Sequence, residues 1–177
     1  MANGKKKGNK EERVLCSFWK EWTTFDFTRV PASGGLRWKG MVNTTTSDLI
    51  CADDKHSRRF QFSIECKSYK DIKFEHLILG NKSCDILKFW DQCCEDSKRG
   101  KKVPILFMRY NGMPRRTYYT IIPTWLYKLA CNYGLEKGKN TVVKVDNPNY
   151  NFVIINSNDL LMINYLNFHK ALKKYRL

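Results

Sequence analysis

The chain has 177 residues, enough for one domain with a sizeable core, and its 42% apolar and 14% aromatic content argues against disorder. Lys and Arg number 32 against 17 Asp and Glu, a net charge of +15 that exceeds what solubility needs and favours a polyanionic partner, nucleic acid first and an anionic membrane face second. No apolar run approaches the ~20 residues of a membrane span, and no apolar stretch follows the lysine-rich start, so the expectation is a soluble intracellular protein.

MANGKKKGNK, residues 1–10, is polar and without periodicity, and is expected to be a flexible basic arm. From Glu11 the apolar residues Val14, Leu15, Phe18, Trp19 and Trp22 recur at helical spacing, which predicts an amphipathic helix ending near Thr23 and Thr24. A short strand, Phe25 to Val30, runs into RVPASGG, where Pro31 and the Ser-Gly-Gly sequence break it. Residues 36–46 form a polar connection. Ser47 to Ala52 then reads as a strand, and the charged turn DDKHSRR leads into FQFSIECK, making a hairpin. Alternation in the second strand puts Phe60, Phe62, Ile64 and Cys66 on one face and Gln61, Ser63, Glu65 and Lys67 on the other.

Ser83 is the candidate cap of a second helix, whose apolar set is Ile86, Leu87, Phe89, Trp90, Cys93 and Cys94, with Lys88 and Gln92 as an i, i+4 pair off its centre. VPILFMRY (103–110) and RTYYTII (116–122) read as strands joined by a turn at 111–114, and Pro123 stops the second. A short helix from Thr124 to about Tyr133, a strand pair at 141–145 and 151–155, and a basic helix from Asn158 complete the chain. Seven cysteines form an odd set without CxxC spacing, which argues against a disulfide scaffold, and the three scattered histidines offer little to zinc.

Chemistry concentrates in the hairpin. Asp48 opens one strand, and Glu65 and Lys67 lie on the next, so two carboxylates and an ammonium converge at one sheet end. Hard oxygen ligands with positions left for water and phosphate suit Mg²⁺ acting on phosphodiesters, and a neighbouring lysine can hold the attacking water and offset charge developing on phosphorus. Alone, an aspartate separated by 16 residues from ExK is a weak signal, since Glu and Lys two apart on a strand usually form a solvated face.

Its weight comes from order. GNKEER (8–13), RVPASGG (29–35), SDLICA (47–52) and IECKSYKDI (64–72) resemble, in that sequence, the motifs of the PD-(D/E)xK nuclease superfamily, and within it the archaeal-type Holliday junction resolvases. The resemblance covers Gly8 to Tyr110. It departs from the pattern in having Ser47 where a proline usually precedes the aspartate, a long connection from Gly35 to Asp48, and a long continuation beyond Tyr110.

The resemblance implies an α/β restriction-endonuclease-like fold with a mixed central sheet flanked by helices. It makes Asp48 and Glu65 metal ligands, Lys67 the catalytic lysine, and Glu12 a further carboxylate facing the metal. Glu11, which sits closer to the middle of the helix stripe, is the alternative to Glu12; Asp53 and Asp54 lie in the charged turn, far from Asp48. Arg29 and Ser33 match a loop beside the active site, where arginine forks onto phosphate and Ser33-Gly34-Gly35 lets main-chain N–H groups approach an oxyanion. Arg37, Trp38 and Lys39 are placed to clamp or stack on an opened strand, and Lys70, Lys73 and Lys82 to meet phosphates. Lys88 or Gln92 would fill the place that the superfamily often gives to a Gln or Lys on the next helix.

The resulting expectation is a Mg²⁺-dependent DNA endonuclease, with Mn²⁺ able to substitute, that resolves four-way junctions by paired nicks as a homodimer, since a two-fold dimer matches a two-fold junction. Residues 11–177 would form a single nuclease domain, with 124–177 as a C-terminal extension. A homing or restriction-type enzyme of the same fold, or a non-catalytic DNA-binding protein, are the rivals. The Lys- and Asn-rich composition fits an AT-rich viral or bacterial genome.

Overall fold

A computed structural model describes residues 2–30, 47–80, 83–135 and 143–174. Seven strands form one mixed sheet: β1 (Phe27–Arg29), β2 (Leu49–Cys51), β3 (Phe62–Tyr69), β4 (Val103–Tyr110), β5 (Tyr119–Pro123), β6 (Val143–Asp146) and β7 (Asn151–Asn156), in the spatial order β1-β2-β3-β4-β5-β7-β6. All neighbours are antiparallel except the central pair, β3 and β4, which run parallel in register from Phe62 opposite Val103 to Tyr69 opposite Tyr110. A parallel pair needs a crossover. Here it carries α2 (Phe74–Ile78) and α3 (Asp85–Gly100), while α1 (Ala2–Thr23), α4 (Thr124–Cys131), α5 (Ser157–Leu160) and α6 (Tyr165–Leu172) complete the helices. The α/β architecture expected from the sequence is borne out.

Two apolar layers sandwich the sheet. Leu15, Phe18 and Trp19 of α1 pack with Phe62 and Ile64 of β3, Ile105 and Phe107 of β4, and Phe168 and Leu172 of α6. On the other face Ile86, Trp90 and Cys93 of α3 cover Leu106, Met108, Ile121 and Ile154. β4 is buried on both sides, which explains its nearly unbroken apolar run. Trp19 is fully buried and meets the rings of Trp22, Phe27, Phe60, Phe62 and Phe107 at 5.0 to 5.9 Å, so the predicted helix stripe holds the centre of the core. Thr24, at φ 67°, ends the helix, and Thr23 Oγ1 closes its last turn by donating to the Trp19 carbonyl and accepting from the Phe25 N–H.

Several boundaries differ from expectation for identifiable reasons. α1 begins at Ala2, so the backbone of the basic arm from Ala2 to Lys10 continues the helix; lysine is a good helix former, and a helix already nucleated by the Leu15–Trp22 stripe extends through such a run without an apolar face. Cys84, not Ser83, occupies the N-cap of α3, with no side-chain cap bond. β5 starts at Tyr119 instead of Arg116, because the turn is longer than four residues: Thr117 N–H bonds back to the Pro114 carbonyl and Arg116 adopts φ 63°. The C-terminal helix is broken in two, since Asn156 caps α5 through Asn158 N–H and Asn164 caps α6 through Asn167 N–H. Gly134 is held at φ +119°, where a Cβ would lie 2.9 Å from the Met162 carbonyl oxygen at that same break. Strands β5 to β7 extend the same sheet that carries the hairpin, and the Trp22 indole donates to the Ile163 carbonyl at 3.1 Å, tying α1 to the α5–α6 connection.

Candidate active site

The site begins with the way β2 enters the sheet. Ser47 is buried, and its hydroxyl accepts from Ile64 N–H at 2.5 Å and donates to the Ile64 carbonyl at 3.0 Å. This double latch shapes the backbone where the related motif uses proline. The next residue, Asp48, takes the Ile64 carbonyl with its own N–H and gives its carbonyl to Val30 N–H, both at 2.8 Å. Its side chain then reaches across to β3, where Oδ2 accepts from Cys66 N–H at 2.8 Å. Asp48 is thus seated between Glu65 and Lys67, with 8% of its surface exposed.

Alternation on β3 works as predicted: Phe62, Ile64 and Cys66 belong to the α1 layer, and Ser63, Glu65, Lys67 and Tyr69 project to the other face. Glu65 is 5% exposed, and its Oε1 accepts from Lys67 Nζ at 2.6 Å and from Gln92 Nε2 of α3 at 3.2 Å. Burial, reinforced by the charge of Asp48, pushes the Glu65 carboxyl up from 4.5 to about 7, although Lys67 pulls the other way. For Lys67 burial opposes the ammonium, but Glu65 and then Asp48 outweigh it and hold the lysine above its ordinary value.

Of the two glutamates in α1, Glu12 accepts from Arg29 Nε at 2.8 Å and raises the proton affinity of Glu65 electrostatically, whereas Glu11 is taken by Arg109 at 3.0 Å. Both glutamates are thus held by arginines, Glu12 beside Arg29 of β1 and Glu11 beside Arg109 of β4. Arg29 Nη2 also donates to Asn9 Oδ1 at 2.6 Å, so the guanidinium is held by two residues of α1 one turn apart. Gln92, and not Lys88, reaches the carboxylates. Lys88 is exposed and pairs with Asp85 at 3.0 Å, because its position on α3 turns away from β3. Lys70 is exposed just past the strand. Ser33, Gly34, Arg37, Trp38, Lys39 and Lys82 lie outside the described residues. Asn9 and Arg109 were missed from sequence; the available signals were Asn9's place three residues before Glu12 and an arginine near the end of an otherwise apolar strand.

Among the described residues no three His, Cys, Asp or Glu side chains gather into a self-sufficient cage. What is present is a buried carboxylate pair, Asp48 and Glu65, in which burial first and the charge of Asp48 second raise the proton affinity of Glu65. Such a pair favours added positive charge. It fits a hard divalent ion that fills its remaining positions with water and phosphate oxygens, as Mg²⁺ does, with Glu12 as the third carboxylate in electrostatic reach.

A family model described as "Phage putative PDDEXK endonuclease" matches residues 3–172. No curated protein and no solved structure matches the chain. Among the described residues no helix is long and apolar enough to cross a membrane.

Proposed function

The chain belongs to the phage PD-(D/E)xK endonuclease family, and on that premise we propose that it is a Mg²⁺-dependent DNA endonuclease whose reaction centre is Asp48, Glu65 and Lys67, with Glu12 and Gln92 in support. The observation that carries the reading is the buried Asp48–Glu65 pair with Lys67 Nζ 2.6 Å from Glu65, two carboxylates and an ammonium brought together in a nearly buried place. Nucleases of this superfamily usually use divalent metal; Asp48 and Glu65 would hold such an ion, which would supply Lewis acidity at the scissile phosphate and lower the pKa of water. Gln92 fixes the Glu65 carboxylate. Lys67 orients the attacking water and offsets negative charge on phosphorus as one P–O ester bond breaks and the leaving oxygen takes a proton. Mn²⁺ would substitute as another hard, oxygen-preferring ion.

The most concrete form of the proposal is a homodimeric resolvase of four-way junctions. It is supported by the RVPASGG sequence following a glutamate-bearing helix, by the net charge of +15, and by the two-fold symmetry that such a junction shares with a dimer. Residues 11–177 then act as one nuclease domain in the infected host's cytoplasm, with Arg29, Lys70 and Lys88 adding phosphate contacts together with Ser33, Gly34, Arg37 and Lys39. The family match itself favours the broader alternative, a phage endonuclease of the same fold that acts on other DNA.

The deciding experiment incubates pure protein with Mg²⁺ and matched four-way junction, linear duplex and single-stranded DNA. Paired nicks in the junction alone are expected. Equal cutting of all three substrates would overturn junction specificity and leave the nuclease; tight junction binding without any cutting would overturn the nuclease.

A further inference from the structure

Glu65, Lys67 and Tyr69 share one face of β3, and α3 runs alongside them. Gln92 meets Glu65, and one turn earlier Phe89 lies under the next two: Lys67 Nζ is 5.7 Å from the Phe89 ring centre, and the Tyr69 ring stacks on Phe89 at 4.8 Å with an interplanar angle of 28°. Tyr69 nonetheless keeps 43% of its surface in solvent. An aromatic ring braced from behind and exposed in front is unusual beside a buried reaction centre, because the core already has ample aromatic surface to enclose it.

Its surroundings identify the ligand class. Two residues along a strand span about 6.7 Å, so Tyr69 stands one nucleotide-sized step from the lysine that meets the scissile phosphate. Lys70 and Lys73 are exposed immediately beyond it. Next to the ring a pocket of about 90 Å³ is lined by Asp71, Lys73, His76, Asp85 and Phe89, offering both donors and acceptors near an aromatic wall. Cations for phosphate, a ring for a π-face and polar groups for a base edge together match a nucleotide. A base inside a duplex already has both faces covered, so only a base that has left the stack can use such a ring.

We propose that Tyr69, backed by Phe89, is a stacking platform for an unpaired nucleobase next to the scissile phosphate, and that it biases the enzyme towards branched, frayed or single-stranded DNA. The placement of the phosphate rests on the nuclease reading above; the stacking itself does not. Tyr69 acts as a specificity-determining residue, not as part of the proton chemistry.

The test uses the full chain carrying Asp48→Asn, so that DNA is bound and not cut, with forked DNA holding 2-aminopurine at the unpaired position beside the branch and the same label in a fully paired duplex. Binding should quench the unpaired label. Tyr69→Ala and the bulk-preserving Tyr69→Leu should abolish the quenching and weaken fork binding by about 5- to 100-fold, as expected for one lost stacking contact, with duplex affinity unchanged. Tyr69→Phe should retain both properties. Quenching that survives Tyr69→Leu, or an equal loss of affinity on fork and duplex, overturns the platform. The two readings separate cleanly: Tyr69-dependent quenching in a protein whose parent cuts nothing keeps the platform without the nuclease, and cutting with Tyr69-independent quenching keeps the nuclease without the platform.

Discussion

At one end of the β2–β3 hairpin, Asp53 sits in a turn near the surface, and its Oδ1 accepts from the N–H groups of Lys55 and His56 at 2.9 and 3.2 Å and meets the His56 ring at 2.9 Å. The bond to His56, with the main-chain donors, lowers its pKa. At the other end, Asp48 and Glu65 are buried together, and Glu65 is pushed up to about 7. The same two strands thus carry one carboxylate completed by its own chain and a pair left with an excess of negative charge. The first is a finished turn. The second is a buried cluster of two carboxylates answered by one ammonium, Lys67, and the difference lies in burial and partners, since both ends supply aspartate.

The comparison is sharpest in activity. Asp48→Asn and Glu65→Gln should each reduce Mg²⁺-dependent cutting by about 10³-fold or more while DNA binding persists, and Asp53→Asn should cut like the parent protein. Gel assays of all three variants on one labelled substrate check it, and equal losses at the two hairpin ends would erase the distinction.

Stability against pH comes next. Glu65 binds its proton at a higher pH in the folded chain, about 7, than its ordinary 4.5, so between those values the folded state holds more protons than the unfolded one. Stability therefore falls as pH rises through that window and levels off above it, by about 3 kcal/mol in total. Urea denaturation from pH 4.5 to 8 should show the slope, and Glu65→Gln should remove Glu65's share of it. Added Mg²⁺ at pH 8 should raise the Tm of the parent protein and leave that of Glu65→Gln nearly unmoved, a readout independent of catalysis.

Smaller effects belong to the supports. Gln92→Ala removes one of the two side-chain donors that hold the Glu65 carboxylate and should lower kcat by about 10- to 100-fold with little change in KM, whereas Lys88→Ala should spare kcat. Arg29→Ala breaks the half-buried bonds to Glu12 and Asn9 and should destabilise the fold by about 1–3 kcal/mol in urea, more than Glu12→Gln, which keeps an acceptor for the guanidinium.

Most of the fold was legible because its signals are local. Alternation in FQFSIECK, the unbroken apolar run of β4 and the stripe of α1 each follow from one element's own periodicity. The hairpin also gave Asp48, Glu65 and Lys67, since strand geometry alone puts them at one end. What escaped depended on tertiary placement. Lys88 and Gln92 sit four residues apart on α3, and only the tilt of that helix against β3 decides which one reaches Glu65. Arg29 was legible as a phosphate-facing candidate, but not its bonds to Glu12 and Asn9, contacts between residues 17 and 20 positions apart that no periodicity encodes. The helical backbone of Ala2 to Lys10 was hidden for the opposite reason, because its sequence carries no apolar periodicity to leave a pattern.

The indole bond from Trp22 to the Ile163 carbonyl spans 141 residues. It fastens the C-terminal end of the helix that presents Glu12 from its middle, and it does so to a loop made long after the hairpin in synthesis. A nascent chain can pair β2 with β3 early, but α1 cannot be clamped at both ends until residue 163 has left the ribosome. An enzyme that breaks DNA would in this way be assembled in sequence, with this tie on α1 added only after residue 163 has been made.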